Sequence, residues 1–413
     1  MLAHGEAWTV KDLFVYPNEF IYWSIQIVMY PFMTGLVAGA FVLSSLYHVF
    51  GVTRLKEIAR FSLVFSFSLL LVAPLPLIFH LQQPLRSLNV FLTPHFTSAI
   101  AAFGIVFSAY GALVAMELWL IYRCHWVATL ARLRAYPNRS LGVTMRILLL
   151  NVLTLGALDV SEEARSRDAK AVRVLAAVGI PVAGFLHGYA GFIFGSVKAN
   201  ALWMTPLMPV IFIMSAVVSG IALSMLTYIG WQWISRTTQR RPHGDDGSLE
   251  VVRSTARYLL LFMVFAMSLE VLDLVFRGYT AVKTWDVVRS VIYGRDFVNI
   301  FVVQYGLGGI LPLLLLLTPN LTTRRAILSL LLVLLGEFMM RWNVVIGGQA
   351  FSLTFSGYME YKLPIVPHNL DTFREGLTGA LLVMLMPFVL FSILGRIIPP
   401  GPPLTERTNE AGV

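Results

Sequence analysis

Nine stretches of roughly 20 apolar residues decide what this chain can fold into. They lie near residues 23–50, 61–81, 95–121, 174–195, 204–231, 258–276, 298–318, 326–348 and 377–395. A run that long, apolar on every side, spans a hydrocarbon layer as a helix. A transmembrane strand would be about 10 residues of alternating polarity. Composition agrees: 57% of residues are hydrophobic and 13% are charged, against about 25% charged in an average soluble protein. Too few charges remain to coat soluble domains, which excludes a soluble enzyme, a disordered chain and a fibre. The expected fold is an all-α polytopic membrane protein with nine transmembrane helices, alternatively ten, in two helical bundles.

The tenth candidate, residues 143–160, is short and holds Arg146, Asn151 and Asp159. Nine crossings with the N-terminus outside put most loop Lys and Arg on the inner side, as the positive-inside rule requires. Ten crossings erase that bias. Residues 122–173 therefore read as a cytoplasmic insert, its apolar stretch lying along the membrane or against the bundle. The remaining divisions are a periplasmic segment 1–22 without a cleavable signal, a first bundle 23–231, a cytoplasmic linker 232–254, a second bundle 255–398 and a disordered tail 399–413. The net charge of +9 belongs to the inner loops; no nucleic-acid motif accompanies it.

Ionisable residues inside spans are costly, and each is a functional candidate. Glu117 sits late in the third span, where it could instead reach the interface beside Trp119, Tyr122 and Arg123. Glu270 and Asp273 lie three apart in SLEVLDLVF, on one helix face, and close carboxylates can share a proton. Glu337 and Arg341, four apart in GEFMMRWN, are spaced for an intrahelical ion pair. These five are the proton-transfer candidates; structural contacts to neighbouring helices are the plainer reading. In GIPVAGFLHGYAGFIFGSVKAN, Gly184, Gly188, Gly191 and Gly195 line one face and permit close helix approach. His187 borders that seam. Tyr189 lies roughly 160° around the helix from it, so the two rings share a pocket only if Pro181 distorts the helix. A His–Tyr pair would suit a quinone. Gly35 and Gly39 form a second seam, and Asn18 and Glu19 precede the first span among Tyr16, Tyr22 and Trp23.

The single cysteine, Cys124, allows neither an internal disulfide nor a cysteine-held iron–sulfur cluster within the chain. The eight histidines put no two on one span, which argues against a two-heme cytochrome. No zinc-ligand spacing, phosphate loop, hydrolase nucleophile or dinucleotide fingerprint is present.

Several segments resemble the NrfD/PsrC family of quinone-interacting membrane subunits. They are GLVAGAF in the first span, QQPLRSLNVFLTPHFTSAIAAFG between the second and third, HGYAGFIFGSVKANALWMTPLMPVIFIMSAVVSGIA over the fourth and fifth, and RWNVVIGGQ late in the chain. The insert ending in LTLGALDVSEEARSRDAKAV looks most like the DsrP and HybB branch. The resemblance covers roughly residues 20–350. It implies a multi-pass subunit of the bacterial inner membrane, in a respiratory or sulfur-metabolism oxidoreductase complex and not catalytic alone. It implies bound quinone, menaquinone or ubiquinone, and no heme, flavin or iron–sulfur cluster in this chain. Its partners would be the lipid bilayer, a periplasmic ferredoxin-like iron–sulfur subunit, and other membrane and cytochrome subunits. The family's Y-x-G tyrosine maps onto Tyr189, and its polar residues before the first span onto Asn18 and Glu19; with His187 these form the quinone-binding candidates. Glu19, and His187 before Gly188, depart from the family's pattern, which leaves the pocket's polar groups open. The alternatives are a proton-translocating or secondary transporter subunit, and a b-type cytochrome anchor.

Overall fold

The computed structural model describes residues 20–95, 97–135, 140–239, 247–280, 284–353 and 357–401. Nine helices among them are long and apolar enough to cross a membrane. The crossings are α1 (Ile25–His48), α2 (Lys56–Val72, continued by a turn at Leu75–His80), α3 (Ala99–Arg134), α5 (Glu162–Gly195), α6 (Met208–Gln239), α7 (Gly247–Tyr279), a π-helix Val298–Ile310 running into α8 (Leu311–Leu317), α9 (Thr323–Val345) and α10 (Leu377–Leu394). Between α3 and α5 lies α4, Leu141–Thr154. Its 14 residues make a rod of about 21 Å, too short for a hydrocarbon core of about 30 Å. It lies against α3 instead: Trp119 donates to the Leu153 carbonyl (2.8 Å) and Arg134 to Asn151 (2.7 Å).

The ends of α3 and α5 differ from the sequence expectation. The apolar runs stop near residues 121 and 174, yet α3 continues to Arg134 and α5 starts at Glu162. Hydropathy reports where lipid ends, and helicity persists past that point. Ser161 caps α5 by accepting from the Ala164 N–H, with Glu162 and Glu163 in the first turn, where acids suit the helix dipole. Arg123 pins the two extensions together. It is 4% exposed and donates to Asp168 (2.5 and 3.1 Å), to the Ala157 carbonyl and to the Asp159 carbonyl.

α1 and α6 are the most enclosed crossings, while α7 and α10 are among the least. Small residues set the central contact. A Cβ on Gly39 would lie 2.8 Å from the Gly220 Cα and closer still to the Ala216 carbonyl, so the two backbones touch. Of the α5 glycine seam, Gly188, Gly191 and Gly195 pack on the start of α6, but Gly184 meets nothing within 4 Å. α9 reaches across to both α1 and α6.

Candidate functional site

Four helices meet around Gly35. α1 contributes Thr34, α5 His187, α6 Phe212, and α9 Glu337 and Arg341. A Cβ at Gly35 would lie 3.1 Å from Arg341 Nη2 and 3.3 Å from His187 Nε2, so glycine is what leaves both groups facing one point. His187 is fully buried and stacks on Phe212, with ring centroids 5.5 Å apart. Thr34 Oγ1 lies 3.1 Å from the Tyr30 carbonyl, 3.3 Å from the Pro31 carbonyl and 3.3 Å from His187 Nδ1. The hydroxyl has one proton. Donated to the backbone, it leaves Oγ1 to accept from Nδ1–H, and a neutral imidazole then presents Nε2 as an acceptor.

Arg341 is also fully buried. The i, i+4 pair is formed: Nη1 donates to Glu337 Oε2 at 2.5 Å and to the Glu337 carbonyl at 3.0 Å. The guanidinium carbon stands 6.0 Å from the Phe32 and Phe212 ring centroids. Arg341 Nε, Arg341 Nη2 and His187 Nε2 have no protein hydrogen-bond partner. Orphaned buried polar atoms are rare in native proteins and call for an explanation. A donor, Arg341 Nη2, and an acceptor, His187 Nε2, beside one point could hold a ligand carbonyl or hydroxyl and move its proton.

Behind Glu337 the polar groups continue. Asn343 Nδ2 donates to Gln304 Oε1 (2.7 Å), and Gln304 Nε2 donates to Glu270 Oε2 (2.7 Å). A small cavity of about 30 Å³ borders both Glu270 and Glu337. Glu270 and Asp273 do not form the expected proton-sharing pair, because each has other partners. Asp273 accepts from Thr205 (2.5 Å) and from Arg277 Nε (2.8 Å), and Arg277 also donates to the Ala201 carbonyl (3.0 Å). A cleft of about 120 Å³ opens beside them, lined by Glu270, Asp273, Arg277, Gln304, Tyr305 and Asn343, with apolar walls that include Met208, Ile211, Leu274, Ile292, Ile300 and Met340.

Tyr189 is not in this centre. α5 runs unbroken through Pro181, and Tyr189 sits among Phe103, Phe185 and Phe192, with centroids 5.6–6.4 Å away. The 160° offset holds, and the structure keeps His187 and Tyr189 on different faces. Glu117 is fully buried, and neither carboxyl oxygen has a protein partner. Asn18 and Glu19 lie outside the described residues. His80 engages Ser24 (3.0 Å) and Glu375 (3.7 Å). No cluster of three or more metal-ligating side chains occurs among the described residues. Sequence reasoning gave no role to Thr34, Gln304, Asn343, Thr205 or Arg277. The available signal for Gln304 was a lone amide in the apolar run FVVQYGLGG.

Fold and site together define a helical, multi-pass membrane protein with a buried His–Arg–Glu centre between its helices. The chain belongs to the NrfD polysulphide reductase family, whose profile it matches over residues 16–353. It is similar to a selenate reductase subunit of Mesobacillus selenatarsenatis, 26% identical over 91% of this chain and 85% of that protein. It is also similar to a Halobacterium salinarum protein named as a dimethyl sulfoxide reductase membrane subunit, 27% identical over 84% of this chain and 71% of the relative. The NrfD protein of Escherichia coli is 25% identical over 50% of this chain and 60% of its own length.

Proposed function

We propose that this chain is the quinone-reactive membrane subunit of a reductase-type complex and exchanges electrons with an iron–sulfur partner subunit. The observation that carries the reading is the approach of His187 Nε2 and Arg341 Nη2, both buried and without protein partners, to one point beside Gly35. A quinone head group has the matching chemistry. Arg341 N–H groups donate to its oxygen, and His187 Nε2 takes the hydroxyl proton when the quinol is oxidised. Glu337 holds Arg341 in place. Glu270 and Asp273 carry protons onward through the second half of the chain, with Gln304 and Asn343 holding Glu270 in place. Family membership and the reductase-subunit names of the relatives support the setting.

The basic loops support an N-terminus on the periplasmic side of a bacterial inner membrane. In that orientation His187 and Arg341 lie in the outer half of the bilayer, within reach of a partner docked outside. Asn18 and Glu19 remain quinone-contact candidates through their match to the family's polar residues before the first span. Menaquinone or ubiquinone would both fit these contacts. The Dsr-like insert points to sulfur compounds as the terminal chemistry, which would occur on another subunit.

The test is quinol-dependent reduction of the partner cluster in the purified complex. Losing a positioned proton acceptor costs about 10²–10⁴-fold, so His187→Ala should slow cluster reduction within that range while the complex still assembles. An unchanged rate would remove the centre from the reaction. A second reading, proton translocation, is favoured by the chain of carboxylates and amides behind Glu337. Reconstituted vesicles that turn over quinol without moving charge would reject it.

A further inference from the structure

The cleft between α7, the π-helix and α9 is separate from the Gly35 centre. Its volume, about 120 Å³, is of the same order as the roughly 150 Å³ cavity that accepts one benzene ring. Apolar side chains wall it, among them Met208, Ile211, Leu274, Ile292, Ile300 and Met340. Two of the helices around it, α7 and the π-helical crossing, turn most of their surface away from the protein, so a ligand dissolved in the bilayer meets the cleft from the side.

The polar groups of the cleft have an unusual balance. Asn343 Nδ2 is committed to Gln304, and Gln304 Nε2 to Glu270. Arg277 is committed to Asp273 and to the Ala201 carbonyl. Asn343 Oδ1 has no protein partner, and the residue is only 7% exposed. A buried acceptor left unmatched beside the cleft favours a ligand that donates a hydrogen bond. The Gly35 centre differs in having two unmatched guanidinium nitrogens, Arg341 Nε and Nη2, besides the unmatched His187 Nε2.

We propose that this cleft is a second quinone site, selective for the reduced, hydroxyl-bearing form, with one ligand hydroxyl donating to Asn343 Oδ1. It rests on the quinone reading above, but its ligand contact, Asn343, is not one of the head-group contacts proposed there. A carbonyl-bearing quinone has no proton for Asn343, so the oxidised form gains nothing from that contact. The carboxylates facing the cleft, Glu270 and Asp273, are engaged by Gln304 and by Thr205 and Arg277 respectively. The preference therefore comes from an amide that does not titrate.

The test is equilibrium binding of a short-chain benzohydroquinone, and of its oxidised form, to the purified complex. The wild type should take up two equivalents of the reduced probe per chain. Ile300→Trp, which fills the cleft, should remove one equivalent and leave the one that His187→Ala removes. Asn343→Leu should weaken the reduced probe at the cleft about tenfold, the effect of losing one buried hydrogen bond, and leave the oxidised probe unchanged. Two equivalents retained in Ile300→Trp, or a single equivalent in the wild type that His187→Ala abolishes, would overturn the second site. No binding of either form to the wild type would instead overturn the quinone reading itself. Should Ile300→Trp fail to assemble, the redox-selective loss in Asn343→Leu decides the matter alone.

Discussion

Removing Glu337 should destabilise the protein far more than removing an exposed acid, and a compensating second change should reverse most of the loss. Arg341 is fully buried and meets Glu337 at 2.5 Å. The glutamate side chain is 13% exposed, so solvent does little to weaken the pair. Breaking a buried pair from one side leaves an uncompensated charge and costs about 3–5 kcal/mol. Replacing both partners with apolar residues of similar volume is neutral or even favourable, by about 1–4 kcal/mol. Glu337→Leu should therefore lose about 3–5 kcal/mol, while Glu337→Leu with Arg341→Met returns close to wild type. Denaturant titration of the detergent-solubilised protein, followed by tryptophan fluorescence, reads the three stabilities. The double variant should remain folded yet fail in quinol-dependent cluster reduction. A loss below about 1 kcal/mol for Glu337→Leu, typical of an exposed pair, would refute the insulation argued for this centre. A double variant as unstable as the single one would show that the cost is lost packing, not stranded charge.

Gly35→Ala should cost about 1–3 kcal/mol of overpacking, because its Cβ would press on Arg341 and His187 at 3.1–3.3 Å; activity should fall further than stability, as cluster-reduction rates would report. Gly220→Val should prevent assembly, since even a Cβ there meets the Gly39 backbone; recovery of intact complex from membranes checks this. Asp296 lies before the π-helix and outside the crossings, and burial raises its pKa above the usual carboxylate range despite nearby Arg295. A raised folded-state value makes the stability contribution of this group full below the unfolded value and lost as pH climbs through the folded one. Asp296→Asn should accordingly melt higher than wild type at neutral pH, and the gap should narrow as pH falls toward the ordinary carboxylate value.

The nine crossings were legible because lipid imposes one length and one polarity on each. The short α4 was legible from arginine placement, since charge distribution reports on sides of a membrane and hydropathy does not. The continuation of α3 to Arg134 was not, because a helix can leave lipid without leaving helical geometry. Within the site, Glu337 and Arg341 were readable as a pair from local spacing. The meeting of Arg341 with His187 was not, because it depends on how α1, α5 and α9 stack around Gly35. Tyr189 is a different case: the motif groups it with His187, while the helical angle, kept in the structure, turns the two rings to different faces. Gln304 escaped notice because its link to Glu270 depends on the unusual winding of residues 298–310.

That winding has a bearing on which length changes the family could tolerate. A π-turn closes one residue later than an α-turn, so this crossing has slack that an ordinary span lacks. Deleting one residue near Val302 would let one wide turn rewind as an α-turn, rotating the half before the cut against the half after it by about 100°. The glycine contact at Gly308 and Gly336 could anchor the downstream half while Ile292 and Ile300 swung away from Gln304 and Tyr305. The crossing would survive and the cleft would be dismantled. Homologous chains shorter by one residue in this crossing should therefore keep the fold but lose the cleft, a length polymorphism that separates architecture from ligand handling.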